Sequence, residues 1–331
     1  MNREEYLYAA GVVRRLETKL LNSTDVERMV DAPDLEAAFR VFHDTDYYDN
    51  MWEVSARDFN QALEADLLQA KERLMEMSPD ESVIHLLFMR QDFHNLKLWY
   101  KSKLSGQNLD EHASTLGNVD PQAVKDVVMN GGQAEVPEYV SRTIEYMDER
   151  SAVEPLTPVL IDRWCDRRYF HEYASLALSF GSNWIDELVA LRIDSANLKT
   201  YLRGHRLRLA KKDALSEIVA EGGIPLEDWQ VIVELPYDEG LARVRAFASA
   251  PVQEVIDRYQ EHQSLEQLEK DLENVELHHV REAQYIDSGP ELLIAYFLAK
   301  KNAIRNVRLI MTGKLNKIDS GKIKELVREI Y

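Results

Sequence analysis

LIAYFLAKKNAIRNVRLIMTGKLN, residues 293 to 316, carries apolar side chains at Leu293, Phe297, Ile304, Val307 and Met311. Steps of four, seven, three and four place them on one stripe of an α-helix. Lys300, Lys301, Arg305 and Arg308 occupy much of the remaining surface. The same columns recur twice upstream, 109 residues back from Asn306 at Asn197 and 102 further back at Asn95. Arg90, Arg192 and Lys301 align, as do Leu96, Leu198 and Val307, then Lys97, Lys199 and Arg308, and Tyr100, Leu202 and Met311. An Asp precedes the Asn by three residues in two copies, Asp92 and Asp194, and Ala303 stands there in the third. The repetition predicts an all-α body of three degenerate helical repeats, residues 1–117, 118–222 and 223–331, each with this helix as its spine.

The rest of the 331 residues agrees with that class. Amphipathic or helix-forming stretches are expected at Tyr6 to Leu21, Leu35 to Phe42 and Val54 to Met77, then at Pro137 to Met147 and Pro158 to Phe180. A further long one, Pro251 to Leu277, is expected to break at His262. Spines are expected from Val83 to Leu104 and from Ile185 to Leu209, with a short last helix at Ser320 to Ile330. Asp120-Pro121 is a helix start. The pairs Gly131-Gly132 and Gly222-Gly223 read as helix stops that supply a left-handed residue. No stretch alternates as a strand does.

Charge narrows the function. The chain holds 40 basic and 58 acidic residues, a net charge of −18, which excludes a general nucleic-acid binder and suits a soluble protein. The single cysteine, Cys165, has no internal disulfide partner and fits a reducing cytoplasm. The N-terminus, MNREEYLYAAG, does not read as a signal peptide, and the longest uncharged run, Tyr173 to Ile185, is too short to span a bilayer. The cations concentrate in the spines: residues 85–103, 188–215 and 300–331 hold 20 basic and six acidic residues between them. Two readings stay open. Each basic spine packs beside its own acidic neighbour, or three cationic helices line a surface that meets a partner. The repeated Asn is structural on this reading, since a mid-helix Asn costs about 0.5 kcal/mol relative to Ala unless its amide finds a neighbouring loop or helix. Asp92–Asn95 and Asp194–Asn197 are also spaced to bond along the helix.

Five places hold residues that could carry chemistry. Gly313-Lys314 resembles the end of a phosphate loop, but Arg308 and Leu315 stand where Gly and Ser or Thr belong. Asp44, Asp46 and Asp49 lack the calcium-loop pattern, with Tyr48 and Asp49 at its fifth and sixth places. His278, His279 and Glu282 are an exposed helix face without a supporting metal motif. Trp164, Tyr169, Phe170 and Tyr173 read as a core cluster, and Cys165 as a structural thiol. No nucleophile, base and orienting group assemble, so neither a catalytic residue nor a cofactor is expected.

AYFLAKKNAIRNVRLIMTGKLN at the C-terminal end resembles the signature of the C subunit of the archaeal- and bacterial-type rotary V/A-ATPases, the counterpart of the d subunit of the eukaryotic vacuolar enzyme. YLYAAGVVRRLETKLL, residues 6–21, and DLEAAFRVFHDTDYY, residues 34–48, are similar to the family's opening segments. Lys317 is a departure, standing where family members often carry Gly. The resemblance implies a funnel-shaped, all-helical, non-catalytic adapter of three similar domains around a pseudo-threefold axis. It implies a place on the cytoplasmic face of a membrane, between the rotor shaft (D- and F-type subunits) and the proteolipid ring, with the membrane stator subunit as a further neighbour. It further implies torque transfer between ATP chemistry and proton or sodium transport, with no bound nucleotide. Arg203, Arg206 and Arg208, with Lys101 and Lys103 by analogy, are the expected shaft contacts, and Asn95, Asn197 and Asn306 the repeated structural residues. The competing readings are a free-standing helical-repeat scaffold that binds a peptide or protein, and an all-α enzyme with an unrecognised pocket.

Overall fold

A computed structural model describes residues 2–43, 45, 54–132 and 134–331; Asp44, Asp46 and Asp49 lie outside the described residues. Among the described residues there are helices and no strands. The first four helices are α1 (Leu7–Glu17), α2 (Ser23–Asp31), α3 (Leu35–His43) and α4 (Phe59–Met77). Then come α5 (Glu81–Ser105), α6 (Pro121–Asn130), α7 (Glu138–Ser151), α8 (Pro158–Ser179) and α9 (Asn183–Arg206). The short helices α10 (Lys211–Ser216), α11 (Leu226–Glu234) and α12 (Tyr237–Phe247) follow. The chain ends with α13 (Ala250–His262), α14 (Leu265–Glu282), α15 (Pro290–Leu315) and α16 (Ser320–Leu326). The expected break at His262 is a left-handed turn at Gln263, φ 55°. The last helix stops at Leu326, earlier than expected, and Val327 to Tyr331 run on without helix.

Helix starts follow local chemistry. Asn22 and Asp25 form a reciprocal capping box on α2. Asp120 and Thr157 cap α6 and α8 ahead of Pro121 and Pro158, whose rings suit the first helical position.

The chain divides into two compact units. In the first, residues 1–83 with 249–331, α15 is the axis, and α1, α2, α3, α4, α14 and α16 all pack against it. Every residue from Pro290 to Lys300 is buried. The apolar stripe at Leu293, Phe297, Ile304, Val307 and Met311 is buried as expected, but the N-terminal half of the helix is enclosed on all sides, because LLIAYFLA is apolar all round. Two of its lysines therefore do not reach water. Lys300 Nζ lies 2.7 and 3.0 Å from the carboxylate oxygens of Asp66 on α4. Lys314 Nζ donates to the carbonyls of Val30 and Ala32, at the end of α2, and to Ser320 Oγ. A buried ammonium with three acceptors explains the Gly313-Lys314 pair. Gly313 is small because a Cβ there would stand 2.6 Å from Ile323 Cδ1.

The second unit, residues 84–248, holds most of α5 and α6 to α12, with α8 packed on both α7 and α9. Tyr169 packs against Phe93, Phe170 and Tyr173 at ring separations of 5.6, 4.9 and 5.4 Å, and Trp164 and Tyr173 are buried. Cys165 is buried as well, and burial pushes its thiol up to about 12 despite nearby Lys97. The expected stop at Gly222-Gly223 is corrected. The preceding helix ends at Ser216, and neither glycine is left-handed. They are glycines because a Cβ on Gly222 or Gly223 would stand 2.3 or 2.8 Å from an oxygen of the Asp194 carboxylate.

Candidate functional site

The three spine asparagines make one recurring device. Asn95 Nδ2 donates to the Ser114 carbonyl at 2.9 Å, and its Oδ1 accepts the Ser114 N–H at 2.8 Å. Asn197 does the same to Val219, at 2.8 and 2.9 Å, and Asn306 to Arg328, at 3.0 and 2.9 Å. Each side-chain amide thus pairs edge to edge with one backbone unit of the segment that returns past the spine. All three asparagines are essentially without solvent exposure. The carboxylate one turn earlier holds the same returning segment farther along. Asp92 accepts from Val119 N–H, Asn118 Nδ2 and the Tyr139 hydroxyl, and Asp194 from Gly223 and Ile224 N–H. The expected Asp–Asn bond along the helix is replaced by these longer-range bonds. Burial raises both carboxyls above the usual range, against the lowering effect of those donors. Gly117 and Gly222 are the close approach in each, since a Cβ on either would lie 2.3 Å from a carboxylate oxygen. At Ala303 the third copy has no carboxylate.

The cationic side chains divide into paired and free. Lys97 pairs with Asp166 at 2.5 Å, Lys101 with Asp162 at 2.6 Å, and Arg305 and Arg328 with Glu273. Lys103 Nζ donates to the Val128 carbonyl, in the last turn of α6. For α5 and α15 the internal reading of the basic spines therefore describes most of the charge. The end of α9 differs. Arg203, Arg206 and Arg208 are exposed, and among the described residues none makes an ion pair or side-chain hydrogen bond. Leu207 between them is 71% exposed and Leu209 43%. This alternation, RLRL, is visible in the sequence, but the helical pattern of the spine absorbs its leucines, so nothing there marks them as exposed.

Each spine ends on a left-handed residue: Gly106 at φ 69°, Arg208 at 54° and Lys317 at 56°, separated by 102 and 109 positions. In the latter two the geometry is the same. Arg208 N–H donates to the His205 carbonyl and Leu209 N–H to Gly204, while Lys317 N–H donates to Lys314 and Ile318 N–H to Gly313. This is the helix-ending turn that glycine suits, and a residue with a Cβ bears about 1 kcal/mol of strain there.

The family model described as "ATP synthase (C/AC39) subunit" matches residues 9–326. The chain belongs to that family. Among relatives of this C/AC39 subunit, the C subunit of the V-type sodium ATPase of Enterococcus hirae is 26% identical, with 99% of each chain covered. The C subunit of the A-type ATP synthase of Methanocaldococcus jannaschii is 23% identical over 97% of this chain and 86% of its own. That of Thermococcus kodakarensis is 23% identical over 98% and 91%. The C/AC39 subunit is accordingly an accessory, non-catalytic part of a V/A-type ATPase complex and has partner subunits. His278 is engaged with Glu329 at 2.7 Å, and no group of three metal-binding side chains occurs among the described residues. None of the described helices is long and apolar enough to cross a membrane. The place where glycine was expected, Lys317, keeps the left-handed turn with a lysine in it.

Proposed function

We propose that this C/AC39 subunit is the central-stalk adapter of its complex, joining the D/F-type rotor shaft to the proteolipid ring on the inner face of the membrane and passing torque between ATP chemistry and ion movement. The match along residues 9–326 carries this reading. On this reading the body is built of three helical repeats, 1–117, 118–222 and 223–331. The recurrence of one asparagine clamp and one helix-ending turn at offsets of 102 and 109 residues supports the repeats. A torque-bearing part has to resist shear between its helices. Close packing supplies part of that resistance, and side chains that lock loops to spines supply more.

Shaft contact is assigned to Arg203, Arg206 and Arg208. Lys101 and Lys103 have internal partners, so the contact rests on the arginines. Membranes stripped of the soluble sector should rebind the rotor only when this chain is added. Rebinding without the chain would end the adapter reading. Reversing the charge of the three arginines should weaken shaft binding about tenfold at low salt, with the difference shrinking as salt rises. An affinity unmoved at every salt concentration would remove the arginine contact.

A further inference from the structure

We propose that residues 327–331 are a releasable strap, closed onto α14 by the charge of protonated His278, so that the unit built on α15 is braced more firmly at about pH 6 than at about pH 8. One stripe of α14 makes the seat. Lys270 Nζ donates to the Glu325 carbonyl at 2.5 Å, Glu273 accepts from Arg328 Nε at 2.7 Å, and Asn274 Oδ1 accepts the Glu329 N–H at 3.1 Å. His278 Nε2 lies 2.7 Å and Arg281 Nη1 3.1 Å from the same Glu329 oxygen, and Arg281 also donates to the Ile330 carbonyl. On α15, Asn302 and Asn306 hold the backbone of Glu329 and Arg328. The Tyr331 hydroxyl donates to Glu17 on α1 at 2.9 Å. Three helices of one compact unit thus meet in the strap.

Apolar burial adds little to this grip. The segment that returns past α9 buries Ile218, Val219 and Ile224, whereas each of residues 324–331 is at least partly exposed. The carboxylate that holds the first two returning segments is also missing here, at Ala303. Polar bonds that water can replace therefore close the strap. The charged groups facing His278 are Glu329 and Arg281. Farther along the seam stand Glu273 with Arg305 of α15 and Arg328, Asp271 with Arg258 of α13, and Glu17 with Arg14 on α1. His279 turns to Glu282 instead. Histidine is the side chain that ordinarily changes charge between about pH 5 and 8. Partial burial opposes ionisation of Glu329, but His278 and Arg281 outweigh it and hold its carboxyl below the usual carboxylate range. When the strap opens, Glu329 leaves His278 while Arg281 stays beside it on α14. Opening removes the attraction and keeps the repulsion, so protonation of His278 favours the closed strap. That contribution is present at low pH and fades as pH rises through the imidazole range. His278 and Glu329 are 53 and 44% exposed, so solvent screening keeps the effect to about threefold. The strap lies within one unit and does not draw on the adapter reading.

The test is amide hydrogen exchange of the full chain at about pH 6 and about pH 8, corrected for the intrinsic exchange rate at each pH. The Arg328 and Glu329 N–H groups, which donate to Asn306 and Asn274, report on the strap. Their protection should be about threefold greater at the lower pH, while that of Ala295, buried in α15, changes little. His278→Gln keeps a hydrogen-bond donor but never carries charge, and it should remove the difference. Glu329→Gln should remove it as well, and if either variant fails to fold by circular dichroism the other decides. Equal protection of the wild-type strap at both pH values overturns the proposal, as does greater protection at the higher pH. A difference that survives in a folded His278→Gln or Glu329→Gln chain also overturns it. So does a change at Ala295 as large as that at Arg328, which would mean that the whole unit opens and not the strap.

Discussion

Asn197→Ala removes the clamp that ties α9 to the segment around Val219. Val219 is itself buried, so its N–H and C=O would lose partners that water does not readily replace. Each unmet buried backbone group costs about 1–3 kcal/mol. Two groups, partly rehydrated as the segment shifts, sum to about 3 kcal/mol, and the better helix propensity of Ala returns about 0.5 kcal/mol. The expected loss is about 2–3 kcal/mol. Urea unfolding followed by far-UV circular dichroism should show a lower midpoint at an unchanged slope. Amide exchange at Val219 should accelerate more than at the middle of α8. Asn95→Ala and Asn306→Ala should follow with smaller losses, because Ser114 and Arg328 sit in partly exposed surroundings. A loss below about 1 kcal/mol for Asn197→Ala, or an unchanged Val219 amide, would refute the clamp as a source of stability.

Three further outcomes are expected. Removing one partner of the buried Asp66–Lys300 pair, as in Lys300→Met, should cost about 3–5 kcal/mol, while Asp66→Leu with Lys300→Met should recover most of that; a double variant as unstable as the single would count against it. The Asp194 carboxyl is raised by burial, so its stability contribution is fully present below the ordinary carboxylate range and lost as pH rises through its raised folded value. The stability of the wild type relative to Asp194→Asn should therefore grow as pH falls from about 7 toward about 4, and a flat difference would contradict the burial argument. Cys165, whose thiol is buried and pushed up to about 12, should not react with iodoacetamide at about pH 8 until the chain is unfolded, which thiol counting under native and denaturing conditions measures.

The family and the helical class are legible in the chain because both rest on local pattern. Helix period, proline and N-cap positions, and the AYFLAKKNAIRNVRLIMTGKLN signature depend on residues close in sequence. Asn95, Asn197 and Asn306 are legible as repeated structural residues for the same reason: an unfavourable residue returns at one register. Their partners are not. Ser114, Val219 and Arg328 share no side-chain chemistry, since the clamp grips backbone alone. Gly222-Gly223 misleads for a related cause. Paired glycines signal a left-handed stop locally, while here they make room for a carboxylate from another helix.

Charge shows the division most clearly. The clustering of cations on the spines is a count along the chain, so the order of residues establishes it with no fold in hand. Which of those cations remain for a partner is settled by packing alone. Lys97, Lys101, Lys300 and Arg305 meet carboxylates brought over from other helices, and Lys314 meets the end of α2, whereas the corner at Arg206 to Leu209 projects into solvent. An ion pair depends on distances of a few ångströms between segments remote in sequence, and those distances exist only once the helices have come together.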